Sequence, residues 1–339
     1  MGKNLFGMPL TELELLVQSY GKPAYVARQI AEWLYKNKAG SINEMLNLSK
    51  EFRQQLSQDF HIGLHEAVQV QHSSDGTRKY LFPAPGNRHV EAVYIPEENR
   101  HTLCLSTQIG CRMGCSFCMT ARQGFQGQLS SGDILNQIHR LPERDLLTNI
   151  VYMGMGEPLD NLDAVLDSLD ILTSGYGFGF SPRRITVSTI GMLPAIEVFL
   201  ERSRCNLAVS LHTPFETERR QLMPAERGHP LKDVLSTIRA FSVEKQRRIS
   251  FEYIVFDGLN HSQKHVNELA RVLNGIRCRI NLLRFHPLPG SSLRSPAENV
   301  LEVFKSALEA KGLTTTIRKS RGQDIAAACG LLSTTQANK

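Results

Sequence analysis

Residues 103–120 read "LCLSTQIGCRMGCSFCMT", and Cys104, Cys111, Cys115 and Cys118 fall within fifteen positions of one another. Cys111, Cys115 and Cys118 form a C-x3-C-x2-C run, and Cys104 stands seven residues ahead of it. The run follows an apolar, strand-like piece, "TLCLST". Downstream come "TNIVYMGM", "RRITVST", "CNLAVSLH", "ISFEYIVF" and "RINLLRFH", each strand-like, and "TTTIRK", one more short strand. Helix-like stretches separate them: "SSGDILNQIHRL", "NLDAVLDSLDILTS", "MLPAIEVFLERS", "PLKDVLSTIRAFSVEK" and "SQKHVNELARVLNG", with "PAENVLEVFKSALEAKG" after the sixth strand. Six βα units in a row predict a parallel sheet with helical crossovers, either doubly wound or closed into a partial barrel. In both architectures ligands belong at the C-terminal strand ends. Cys111 to Cys118, Gly154 to Glu157, Ser188, Ser210 to His212 and His286 all fall at such ends, which argues for one shared site.

Upstream the period changes twice. Residues 9–60 carry apolar residues at helical spacing, broken at Gly21-Lys22-Pro23, with "SINEMLNLSKEFRQQLSQDF" as a second helix and Trp33 as an anchor. Residues 64–107 hold "KYLFPA", "HVEAVYIP" and "HTLCLST" between turn signals, which predicts a short antiparallel meander. The expected organisation is a helical module over 1–62, a β extension over 63–102, an α/β core over 103–320 and a C-terminal loop over 321–339. A 339-residue chain buries a sizeable core, and its net charge of +6 alone is a weak pointer to a polyanion. The start lacks a signal-peptide pattern and no apolar run is long enough to span a membrane, so a cytoplasmic monomer is expected. Seven cysteines, most of them clustered, in a reducing compartment suggest metal or catalytic thiols before disulfides.

Three thiolates on one loop leave a coordination position vacant. A [4Fe–4S] cube has four irons, so three cysteines leave one open to a chelating ligand. Structural zinc is the rival, but zinc ribbons use two separated C-x2-C pairs, and no second pair exists here. Cys205 and Cys278 sit at strand starts and read as core thiols. Met113, Met119, Met153 and Met155 read as packing.

The triplet after the first strand of a six-fold βα repeat resembles the signature of radical S-adenosylmethionine (SAM) enzymes, whose fold is a partial (β/α)6 barrel. "IGCRMGCSFCMTARQGF", "NIVYMGMGEPLDNLDAV", "FGFSPRRITVSTIGMLPAI", "NLAVSLHTP", "RINLLRFHPLPG" and "TIRKSRGQDIAAACG" together resemble the RlmN-type RNA adenine methyltransferases, over nearly the whole chain and in order. Adenine C2 and C8 are electron-poor carbons, and a radical route to them avoids a carbanion. The resemblance implies one [4Fe–4S] cluster on Cys111, Cys115 and Cys118, and two SAM per turnover. It implies Cys329, in "AAACG", as an S-methylcysteine intermediate. Cys104 is implied as the resolving thiol of a transient disulfide with Cys329, and Glu91 as proton acceptor. Taken alone, Cys104 reads as a buried strand thiol and Glu91 as a polar residue alternating on an edge strand.

Gly156, Glu157, Ser188, Ser210, Leu211, His212 and His286 are implied as SAM contacts. His286 departs from the family pattern, which has Asn there. The implied substrates are 23S ribosomal RNA, at the peptidyl-transferase-centre adenosine, and tRNA, at the adenosine beside the anticodon. An electron donor such as flavodoxin or ferredoxin is implied as well. The related Cfr branch methylates C8, and Pro158 and "RQGF" favour C2. A zinc-stabilised, non-catalytic RNA-binding protein is the alternative of another class. Arg183 and Arg184, and Arg318, Lys319 and Arg321, are candidate phosphate contacts.

Overall fold

A computed structural model describes residues 2–242 and 248–334. Strand β1 (Lys3–Asn4) leads into helices α1 (Leu10–Ser19), α2 (Tyr25–Tyr35) and α3 (Lys50–Asp59), and β2 (Phe60–His61) pairs parallel with β1. Leu13, Val17, Ile30, Leu34 and Leu56 are fully buried between the three helices. Gly21, at φ +67°, makes the expected break between α1 and α2. Residues 41–60 are not one helix. Ser49 begins α3 as its N-cap, its Oγ accepting the Phe52 N–H at 3.2 Å, and Ile42–Glu44 is a separate 3-10 turn. Trp33 donates from Nε1 to Asn47 Oδ1 at 2.6 Å and braces that turn region.

The meander then forms as β3 (Gln69–His72), β4 (Arg78–Ala84), β5 (Arg88–Glu97) and β6 (Arg100–Cys104), all antiparallel. Strand β3 was not expected; it is exposed along its length and lacks the apolar alternation that marks a half-buried strand. A two-stranded hairpin, β7 (Gln108–Ile109) with β8 (Gly127–Gln128), brackets the cysteine loop, which also contains the short helix α4 (Met119–Gln123). The βα units follow: α5 (Ser131–His139), β9 (Asn149–Tyr152), α6 (Leu162–Thr173), β10 (Ile185–Thr189), α7 (Ala195–Arg202), β11 (Asn206–Ser210), α8 (Glu216–Leu222), α9 (Leu231–Ser242), β12 (Ile249–Val255), α10 (Gln263–Val272), β13 (Cys278–Arg284), α11 (Glu298–Ala310) and β14 (Thr315–Ile317). The expected helix over 230–245 runs in part outside the described residues.

The fold is the expected α/β one. Ten strands make one sheet in the order β14-β13-β12-β11-β10-β9-β6-β5-β4-β3. From β6 to β14 every neighbour is parallel, as crossover helices require. Its central strands are apolar on both faces; all seven residues of β12 are buried. The sheet curves until its flanks face each other: Glu97 and Arg100 share a cavity with Leu283 and Arg284 of β13. That is a partial barrel with an open side. Among the described residues, no helix is long and apolar enough to cross a membrane.

Gly110 lets the cysteine loop leave β7. It sits at φ +74°, and a Cβ there would lie 1.7 Å from the Gly124 carbonyl oxygen. Neither the backbone conformation nor the space admits a side chain. Gly110→Ala is therefore expected to destabilise the protein by at least about 1 kcal/mol, read as a lower urea midpoint, and to reduce the iron retained after anaerobic reconstitution.

Candidate active site

At the C-terminal ends of the parallel strands lies a cavity of about 190 Å3. Cys111, Cys115 and Cys118 wall one side of it, and Gly156, Glu157, Ser188, Ser210 and His212 wall the strand-end side. Cys104 and Cys329 complete the wall, with Arg318 and Glu252 beneath them. Two thiols far apart in the chain, those of Cys104 and Cys329, thus face one space.

Each wall residue has a local cause. Gly154 and Gly156 let the backbone after β9 press against Leu105 and Gln108; a Cβ would come within 2.5 and 2.6 Å of them. Glu157 follows, buried, with Oε1 accepting the Leu159 N–H at 3.1 Å and Oε2 the Ile190 N–H at 2.9 Å. Desolvation still pushes its carboxyl up to about 7 against those bonds. A cationic partner in the cavity would favour the carboxylate. His212 adopts φ +56° at the end of β11, which turns its ring inward against Phe117 at 4.8 Å. Its Nδ1 accepts the Ile254 N–H at 3.0 Å, so Nε2 carries the proton as a donor. Burial holds this imidazole down at about 3, neutral at any physiological pH. Leu211 is buried and off the cavity wall; its N–H donates to the Glu252 carbonyl oxygen at 2.9 Å.

Burial pushes the Cys111 and Cys104 thiols up to about 12, and Cys115 upward too, where Cys118 and Cys111 add to the shift. Such thiols ionise readily only against a cation. The donor set is all thiol and soft, which fits iron–sulfur chemistry. Among the described residues, no three His, Cys, Asp or Glu side chains converge on a single metal ion. The triplet rings a space rather than a point.

The C-terminal segment reaches this cavity because α4 holds it. Met119 N–H donates to the Gly330 oxygen at 2.8 Å and Thr120 Oγ1 to the Leu332 oxygen at 2.7 Å. Gln123 accepts from the Thr334 N–H at 3.0 Å and donates to Thr334 Oγ1 at 2.7 Å. Glu91 lies behind this segment, off the cavity wall. It shares a strand face with Val93, which pairs with Cys104. Its Oε2 accepts the Ser333 N–H at 2.9 Å, and Lys79 sits 2.9 Å from Oε1. Desolvation raises its pKa, and Lys79 and Ser333 oppose that.

His286 also faces elsewhere. Its Nδ1 accepts from Gln323 Nε2 at 2.7 Å and its Nε2 bonds Ser320 Oγ at 3.0 Å, so both ring nitrogens are engaged by the segment leading to Cys329. Arg183 and Arg184 precede β10, at the opposite end of the barrel from the cysteine loop. Cys205 is buried and Cys278 half-buried. Met155 is buried as packing; Met113, also buried, and Met153 line the cavity, the latter beside Arg318 with its Sδ 3.7 Å from Nη1.

Sequence reasoning missed Glu252. Its Oε1 accepts from Asn281 Nδ2 at 2.7 Å and Ser250 Oγ at 3.1 Å, while Oε2 faces Arg318 at 3.6 Å. A carboxylate within the apolar run "ISFEYIVF" was the available signal, because an ionised group is costly to bury without a partner. Burial pulls the Arg318 guanidinium down, but Glu252, Cys329 and Cys104 outweigh it and raise its pKa. A second cation beside the cavity, Arg219, lies deeper than Arg318. It is fully buried, pairs with Glu226, and donates to the carbonyl oxygens of Ile190 at 2.9 Å and Ser210 at 3.0 Å. It ties the ends of β10 and β11 together beside the cavity.

Comparison with known proteins agrees with this geometry. The profile described as the Radical SAM superfamily matches residues 105–270, and that of the Ribosomal RNA large subunit methyltransferase N-terminal domain matches residues 3–62. A probable dual-specificity RNA methyltransferase RlmN of Bacteroides thetaiotaomicron is 52% identical over 330 residues, covering 97% of this chain and 96% of that protein. One from Porphyromonas gingivalis is 54% identical over 333 residues, covering 98% and 97%. The chain belongs to the RlmN family of radical SAM RNA methyltransferases. The crystal structure of a radical SAM methyltransferase from Sphaerobacter thermophilus superposes with a TM-score of 0.90 at 38% identity, covering 97% of this chain and 99% of that one. An RlmN-family enzyme needs SAM and an iron–sulfur cluster, and among the described residues the thiol-walled cavity gathers donors that suit them.

Removing one member of a buried ion pair strands the other charge. Glu226→Ala is expected to lower stability by about 3–5 kcal/mol, measured as the urea midpoint of the apo-protein, and to weaken SAM binding through the loosened strand ends.

Proposed function

We propose that the chain methylates C2 of adenine in RNA, at the peptidyl-transferase-centre adenosine of 23S ribosomal RNA and at the adenosine beside the anticodon of tRNA. The observation that carries this reading is that Cys104 and Cys329 share one cavity with the cysteine triplet. A cluster accounts for the triplet alone, and the other two thiols need a task. The relatives' description as dual-specificity RNA methyltransferases supports two RNA classes.

In this reading Cys329 Sγ first takes a methyl group from one SAM by displacement, releasing S-adenosylhomocysteine. A [4Fe–4S] cluster on Cys111, Cys115 and Cys118, when bound with a second SAM, supplies the electron that splits SAM into methionine and a 5′-deoxyadenosyl radical. The S-methyl of Cys329 gives up a hydrogen atom, forming 5′-deoxyadenosine, and its methylene carbon bonds to adenine C2. Glu91 takes the C2 proton, and one electron leaves to a carrier of the flavodoxin or ferredoxin class. A thioether then links Cys329 to the base. The Cys104 thiolate attacks Cys329 Sγ: the S–S bond forms, the S–CH2 bond breaks, and the electron pair stays on carbon, which is protonated to the methyl group. An external dithiol returns the disulfide to two thiols. For Glu91 to act, residues 330–334 must yield, because Ser333 holds its Oε2. Glu157, Ser188, Ser210 and His212 would hold SAM, with Gly156 giving close backbone approach.

The test is anaerobic reconstitution, incubation with SAM and RNA, and mass spectrometry of the digested RNA. 2-Methyladenosine is the expected product. 8-Methyladenosine would select the other branch, and unmodified adenosine would overturn the reading. Cys104→Ala is expected to accumulate a covalent protein–RNA species, visible as a shifted band; adduct-free turnover at the wild-type rate would rule out the resolving role.

A further inference from the structure

Beneath the thiol-walled cavity lies a second, polar chamber of about 180 Å3. Val151, Met153, Glu252 and Arg318 line both, so the two are stacked in the barrel with these residues between them. Arg100, Arg248 and Arg279 line the lower chamber as well. Arg100 opens β6, Arg248 immediately precedes β12, and Arg279 is the second residue of β13. All three therefore stand at the N-terminal mouth of the barrel, away from the cysteine loop. Arg100 and Arg318 also line a third cavity, of about 320 Å3, on the open side of the barrel beside Cys329.

These charges are poorly balanced. Desolvation lowers the Arg100 pKa, and Arg318, Arg248 and Arg184 lower it further against Glu97. Among the described residues, Glu252 is the one carboxylate that lines the lower chamber. None of Arg100, Arg248 and Arg279 has an ion-pair partner among the described residues within 4.0 Å. Gathering guanidinium groups without counter-charge costs repulsion unless an anion takes their place. A second feature points to a ligand. Glu252 is 4% exposed, and its Oε2 meets Arg318 only as an ion pair at 3.6 Å and accepts no hydrogen bond at closer range. An acceptor of that kind suits an amine donor on a base passing between the chambers.

We propose that the N-terminal mouth of the barrel is the RNA-backbone interface. The phosphodiesters flanking the extruded adenosine rest on Arg100, Arg248 and Arg279, and the base passes Glu252 and Arg318 to reach the thiols. This rests on the RNA reading above. It assigns the route to the end of the barrel opposite the cysteine loop, with arginine forks suited to phosphate oxygens.

The experiment uses the reconstituted holoenzyme and a fluorescent anticodon stem–loop RNA, with affinity measured across a salt series. Arg248→Glu/Arg279→Glu is expected to weaken binding about tenfold or more. Its log–log salt slope should fall by about 1.4–1.8, given roughly 0.7–0.9 per lost phosphate contact. Arg227→Glu, in an exposed turn at the other end of the barrel, should leave both unchanged. Arg248→Gln and Arg279→Gln, each expected to lower the slope by about 0.7–0.9, serve if the double variant is unstable, with thermal midpoint and iron content as the checks on folding. Unchanged affinity and slope would overturn the proposal, as would an equal loss in Arg227→Glu. Loss of flavodoxin-driven but not dithionite-driven SAM cleavage, with RNA binding intact, would instead assign the mouth to an acidic electron-donor protein. Because the readout is binding, it stays legible even if the wild type makes no methyladenosine.

Discussion

The hydrogen bonds between α4 and residues 330–334 hold the site together. Five hydrogen bonds, to Met119, Thr120 and Gln123, strap the end of the chain to the loop that carries Cys118. Without them Cys329, an exposed residue even with the strap in place, would sit on a loop with no reason to face Cys104. With them, a thiol near each end of the core looks into the cavity walled by the triplet. The same strap covers Glu91, so holding the methyl carrier and exposing the proton acceptor are opposed.

A second constraint is electrostatic. The barrel interior holds ionisable groups that water no longer solvates, and each is answered differently. Glu157 is answered by two backbone N–H groups and still sits near 7. Arg219 is answered by Glu226 and two carbonyl oxygens, which turns a buried charge into a brace for the strand ends. Burial raises the pKa values of the thiols, with Arg318 opposing the shift at Cys104 and Arg219 opposing it at Cys115. At the lower mouth arginines are in excess.

Much of the fold was legible because burial imposes a period. Strands buried on both faces read as apolar runs, such as "ISFEYIVF", and crossover helices repeat apolar residues every three or four positions. Where burial is absent the signal fails. The exposed β3 was invisible, and the split at Ser49 depends on one side-chain hydrogen bond rather than on a pattern. In the site, the cysteine spacing and the strand-end residues could be read directly. Glu252 could have been, from its charge within an apolar run, whereas the setting of His286 could not: its partners, Ser320 and Gln323, lie 34 and 37 positions away.

A βα repeat with three thiols on the loop after its first core strand was written in the order of residues alone, since period and spacing are local properties of a chain. Which distant groups meet was a matter for the folded molecule. Cys104 and Cys329 share a cavity, and four arginines on or beside four strands share a chamber, because the sheet curves until its flanks face each other. Curvature is the summed twist of many strands, and no short stretch of residues encodes it.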